Sequence, residues 1–181
     1  MDFEKNIYEQ HGLKIDRDRV LTYSQLSCPL ECRYCFVNDL NFNQKRNTTY
    51  LTQEQLLLLE KLPGEIKTIM LGCDTEFFQS KEDSLDALRK LAGLKKDISV
   101  ITKLNLSRSF IAEIKKVADI LARNENILVF SVSLPYDESA EIWESGAPSP
   151  QKRIETLKSA HIAGLKNLVA VRPLLPSIGG E

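Results

Sequence analysis

Ser27-Cys28-Pro29-Leu30-Glu31-Cys32-Arg33-Tyr34-Cys35-Phe36 sets three cysteines on one short stretch, with three and then two residues between them. Thiolates this close in sequence can converge on one iron-sulfur cluster from a single loop. A [4Fe-4S] cluster takes four ligands and the stretch supplies three, so one iron is left open to a ligand that is not cysteine. A structural zinc site is the competing reading. Such sites usually pair two close cysteines with a second pair, or with two histidines, farther along. The other cysteine is Cys73, and His11 and His161 lie far from each other and from the triplet. The ligand count therefore favours the cluster. With no secretory leader in view, four cysteines in a chain of this length are expected to stay reduced, in a cytoplasmic protein.

Working outward, 181 residues that are 43% hydrophobic and 27% charged suffice for one core, and one domain is the expectation. Residues 1–18 read as a polar N-terminal leader and 19–181 as the core domain. The net charge of -1 gives no electrostatic support to a nucleic-acid partner, which normally shows as a basic excess. No apolar run approaches the ~20 residues that cross a bilayer, so no membrane association is expected.

Short β-rich runs alternate with helical patterns. Arg19 to Leu26 reads as a strand feeding directly into the cysteine stretch, followed by strands at Ile66 to Leu71, Ile98 to Thr102, Ile127 to Ser133 and Leu168 to Arg172. Between them lie helices. Thr52 to Leu62 carries a capping pair in Thr52 and Gln55 and stops at Pro63-Gly64. A second helix starts at Ser80 or Ser84. Ser109 to Arg123 repeats Phe110, Ile114, Val117, Ala118 and Leu121 at helical spacing. The last runs from Ser149-Pro150 to Gly164, with proline in its first turn and glycine past its end. Alternation of this kind makes a parallel sheet with its helices outside. The fold class is α/β, a partial (β/α) barrel of about five parallel strands. Sites in such sheets lie on the loops after the strands, where the cysteine stretch, Gly72 to Gln79, Ser133 to Pro148 and the segment from Pro173 all fall.

The cysteine spacing, with an aromatic just before the last cysteine, resembles the radical S-adenosylmethionine (SAM) superfamily. Trp143-Glu144-Ser145-Gly146-Ala147-Pro148-Ser149-Pro150-Gln151-Lys152-Arg153-Ile154 and Val171-Arg172-Pro173-Leu174-Leu175-Pro176 are similar to segments of its spore photoproduct lyase-like branch. The resemblance covers roughly residues 19–176. It implies that Cys28, Cys32 and Cys35 ligate the cluster, that SAM chelates the open iron, and that an electron cleaves SAM to a 5'-deoxyadenosyl radical for hydrogen abstraction from an unknown substrate. It further implies an electron donor such as a flavodoxin or a ferredoxin.

For the remaining site residues the resemblance stands beside a structural alternative. Tyr34 packs on the cluster or is a core aromatic, and Phe36 offers backbone atoms to the SAM adenine. Glu76 accepts from the SAM ammonium or is a solvated loop carboxylate, with Asp74 as the substitute for that job; the loop reads Gly72-Cys73-Asp74 where many members have two glycines and a glutamate. Ser131 and Ser133 share one strand face and reach SAM, or else bond backbone. Arg153 binds the SAM carboxylate as a planar donor or is a solvated surface arginine; Arg172 does the same job, meets substrate, or forms a structural salt bridge. Cys73, at the mouth of the barrel, donates a hydrogen atom to a product radical or is a small buried hydrophobe. Members generally have six βα units, so the final strand is expected to be missing here, with self-association through the open sheet edge. The alternatives to a radical SAM enzyme are nucleic-acid lesion repair of the spore photoproduct lyase type and a truncated, non-catalytic iron-sulfur-binding module.

Overall fold

β1 (Leu13–Asp16) and β2 (Arg19–Thr22) form an antiparallel hairpin, and β3 (Thr68–Leu71), β4 (Asp97–Thr102), β5 (Leu128–Ser133) and β6 (Lys166–Ala170) follow in chain order, each parallel to the last. The structure is a computed structural model that describes residues 5–39, 47–135 and 137–171. The helices are α1 (Lys5–Gln10), α2 (Gln53–Glu60), α3 (Lys81–Leu91), α4 (Arg108–Arg123), α5 (Asp137–Trp143) and α6 (Pro150–Ile162). Strand order never reverses. A run of right-handed crossovers that always steps the same way puts its helices on one side of the sheet, the arrangement of a partial (β/α) barrel rather than a doubly wound sheet.

Burial alternates along the strands with period two. Ile69, Leu71, Ile98, Val100, Leu128, Phe130 and Val132 face the helices and are fully buried with Leu88, Leu91, Ile111, Ile114, Val117 and Leu121. Tyr50, Phe77, Phe78 and Phe110 meet edge to face within this core, centroids 4.5 to 5.6 Å apart. The opposite face carries Met70, Ser99, Ile101, Val129 and Ser131, all half-buried.

Helix starts follow local chemistry. Thr52 and Gln55 form the expected reciprocal capping box on α2, Ser80 caps α3 and Ser107 caps α4. Pro150 occupies the first turn of α6 and Gly164, at φ +77°, follows its end.

Three expectations change. The described part of the leader is folded: α1 and β1 bury Tyr8, Leu13 and Ile15 in the core, and Arg17, at φ +59°, turns β1 into β2. The first core strand stops at Thr22 instead of Leu26, because Gln25 has φ +60° and cannot continue a strand. The last strand lies at Lys166–Ala170, fixed by its register against β5, where Val129 pairs with Lys166 and Ser133 with Ala170.

Candidate functional site

Parallel strands bring their C-terminal ends to one rim, and the cysteine loop leaves β2 there. Its entry is held by the loop after β3. Ser24 Oγ donates to Asp74 Oδ1 at 3.1 Å, and the Gln25 backbone N–H to Asp74 Oδ2 at 2.7 Å. Burial pushes the Asp74 carboxyl up, against these hydrogen bonds. The same loop is tied to β4 by Glu76, whose carboxylate accepts from Phe78 N, Thr102 Oγ1 (2.8 Å) and Lys103 N (2.9 Å). It too is raised by burial. Gly72 opens this loop at φ +83°, where a Cβ would lie 2.8 Å from the Ile101 carbonyl, so both its conformation and its surroundings call for glycine.

The far side of the cysteine loop rests on the loop after β5. Arg33 N donates to Trp143 O at 2.9 Å, and a Cβ on Gly146 would run into Leu30 O. Beneath this contact lies a charged cluster, in which Glu144 and Arg153 are buried and Lys103 and Tyr34 half-buried. Lys103 Nζ, just past β4, donates to Glu144 Oε1 (2.9 Å), to Cys32 Sγ (3.5 Å) and to the Tyr34 hydroxyl, and stands 4.9 Å from the centre of the Tyr34 ring. Tyr34 in turn donates to Glu144. On the other side of Glu144, Arg153 Nη1 lies 2.6 Å from Oε2, and both side chains are fully buried. Arg153 also donates to Pro148 O (2.7 Å) and Ser133 O (3.1 Å). Its Nη2 has no hydrogen-bond partner among the described residues.

The electrostatics follow from these contacts. Burial pushes the Glu144 carboxyl up, but the Tyr34 hydrogen bond and the charges of Lys103 and Arg153 outweigh it and hold Glu144 below its ordinary value. Burial and the bond to Glu144 push the Tyr34 hydroxyl well up. Burial raises the Cys32 thiol, with Lys103 opposing. Cys73, bonded to Met70 O, is pushed up by burial to about 12, so at neutral pH it is a protonated thiol.

With this rim in view, a family model described as the radical SAM superfamily matches residues 23–179. The chain belongs to the radical SAM superfamily. An uncharacterized protein of Mycobacterium bovis and two from strains of Mycobacterium tuberculosis are each 25% identical over 169 residues, which is 83% of this chain and 48% of theirs. The chain thus spans about half the length of the curated relatives it matches. Among solved structures, a single-site variant of spore photoproduct lyase shares the fold with TM-score 0.61 and 16% identity, covering 82% of this chain and 44% of that one. Spore photoproduct lyase complexed with dinucleoside spore photoproduct gives the same TM-score and identity, covering 84% and 45%.

Radical SAM proteins typically use a [4Fe-4S] cluster and SAM. Here Cys28, Cys32 and Cys35 are all free thiols on one loop. Among the described residues no three His, Cys, Asp or Glu side chains gather as the ligands of a single ion would; cluster thiolates each take a different iron and need not meet at one point. Asp74, Glu76, Ser133, Tyr34 and Arg153 all lie at the strand-end rim, and Phe36, itself exposed, starts a 3-10 turn on the cysteine loop. Ser131 sits farther down β5, on the half-buried face. Glu76 and Asp74 are not solvated carboxylates but buried clamps between loops, and Arg153 is the centre of a buried ion pair, not a surface arginine. Arg172 lies outside the described residues. Sequence reasoning gave no role to Lys103 or Glu144. A signal for Lys103 existed: a charged residue directly after a core strand of a (β/α) sheet falls at the site rim.

Proposed function

We propose that this chain is the core of a radical SAM enzyme, in which Cys28, Cys32 and Cys35 hold a [4Fe-4S] cluster and the strand ends hold SAM against its open iron. The observation that carries this reading is the position of three free thiols on the loop after β2, at the rim, in a chain of this superfamily. Their chemistry fits the group, since thiolates are the ligands iron-sulfur clusters take. Bound there, cluster and SAM would supply one-electron reductive cleavage of SAM, with a flavodoxin or ferredoxin as donor, to begin hydrogen abstraction from a substrate.

The chain's own residues would do the positioning. Asp74 fixes the entry of the cysteine loop, and Glu76 fixes the β3 loop on β4. The buried Arg153 leaves both N–H donors of Nη2 without a partner among the described residues, a planar pair suited to a carboxylate acceptor. Ser131 presents its hydroxyl to the half-buried face. No helix of the described residues is long and apolar enough to cross a membrane.

Anaerobic reconstitution with iron and sulfide, followed by reduction and a SAM cleavage assay, tests the reading. The protein should gain the broad visible absorbance of a cluster and release 5'-deoxyadenosine. Cys32→Ala should lose the absorbance while Cys73→Ala keeps it. Loss in the Cys73 variant, or absorbance with no SAM cleavage, would overturn the reading.

A further inference from the structure

Lys103 has three N–H donors, and all three are committed: to Cys32 Sγ at 3.5 Å, to the Tyr34 hydroxyl, and to Glu144 Oε1 at 2.9 Å. Such an ammonium is not free to swing toward solvent. It is pinned from below by a fully buried carboxylate, which is itself pinned by Arg153. The arrangement joins three loops, those after β2, β4 and β5, at the middle cysteine of the motif. Lys103 is half-buried, and a lysine withdrawn from water even in part is costly unless paired, but pairing with Glu144 alone would not require contact with a thiol. The additional contact carries a consequence for anything bound to that sulfur.

We infer that Lys103 is a positioning residue that tunes the cluster bound at the cysteine loop: its ammonium, held by Glu144 and Tyr34, donates to the Cys32 sulfur and raises the cluster's reduction potential. The physical ground is that a reduced cluster carries one more negative charge than an oxidised one. A fixed cation hydrogen-bonded to a ligating sulfur stabilises the reduced form more. Lys103 accepts no electron and gives up no proton in this role.

This inference rests on the radical SAM reading, and the experiment separates the two. Reconstituted wild type, Lys103→Met and Lys103→Arg are titrated potentiometrically, with iron per chain and the EPR signal of the reduced cluster as readouts. Lys103→Met should take up iron and show a more negative midpoint potential, and Lys103→Arg should lie nearer wild type because it keeps the charge. Equal midpoints in wild type and Lys103→Met at full iron content would overturn the inference and leave the parent reading standing. A shift in Lys103→Arg as large as in Lys103→Met would also overturn it, by assigning the effect to packing. Wild type that takes up no cluster overturns both.

Lys103→Met leaves Glu144 with one cation fewer and can fail to fold. Glu144→Gln is therefore compared with the Lys103→Met/Glu144→Gln double variant. The double variant should have the more negative midpoint, and equal midpoints would again overturn the role of Lys103.

Discussion

The two ends of the same strands obey different rules. Along the helix-facing side of β3 to β5, Ile69, Ile98, Val100, Phe130 and Val132 share one apolar core with α3 and α4 and have no polar partner to satisfy. A few residues on, at the rim, the buried groups are Asp74, Glu76, Glu144 and Arg153, with the half-buried Lys103 beside them, each placed by a named partner from another element. Apolar burial is non-directional, so the core tolerates many solutions. A buried charge admits few, because removing one partner strands the other. The rim is thus the part of the molecule whose geometry is specified atom by atom, and it is the part that carries the cysteine loop.

The comparison can be broken from either side. The largest expected effect is in the core. Phe130→Ala should cost about 3–5 kcal/mol of stability through a lost transfer and a cavity, measured by urea unfolding of the metal-free protein. A loss well under that range would mean that the sheet and helices collapse onto the space, and that the core is softer than its burial implies.

At the rim the expected effect is smaller but more telling. Gly146→Ala drives a methyl into the Leu30 carbonyl, a backbone group that cannot rotate away. Overpacking of this kind costs typically 1–3 kcal/mol. Because the strain falls on the cysteine loop, reconstituted iron content should drop along with the melting temperature. Lower stability with full iron uptake would uncouple that loop from the one after β5.

The smallest effect is a difference in pH slope. Glu144 is held below its ordinary value, so its ionised form adds stability at neutral pH, and that contribution is lost as pH falls through the depressed folded value. Glu76 is raised by burial, so its ionised form costs stability at neutral pH, and the cost is relieved as pH falls through the raised value. Stability of Glu144→Gln and Glu76→Gln against wild type, followed by urea midpoints from pH 7 downward, should therefore diverge. The wild-type lead over Glu144→Gln shrinks on acidification, whereas wild type gains on Glu76→Gln. Parallel slopes would remove the electrostatic distinction between the two clamps.

Much of the fold was legible because its signals are local. Period-two burial, the Thr52–Gln55 capping box and Pro150 in the first turn of α6 each need only neighbours in sequence. β1 shows the limit: four residues, Leu13–Asp16, are too short to stand out and become a strand only by pairing with β2. α5 went unread for a related reason, since seven residues on a long loop carry little pattern.

The cysteine triplet and the alternation of strands and helices are local features of the chain, and together they place the site at the strand-end rim. Tertiary structure alone decided which side chains meet there. Lys103 stands 71 positions from Cys32, and Tyr34 lies 110 from Glu144. No periodicity relates residues so far apart. Their pairing follows from strand register and from the cost of burying a charge without its partner, both of which exist only in the folded chain.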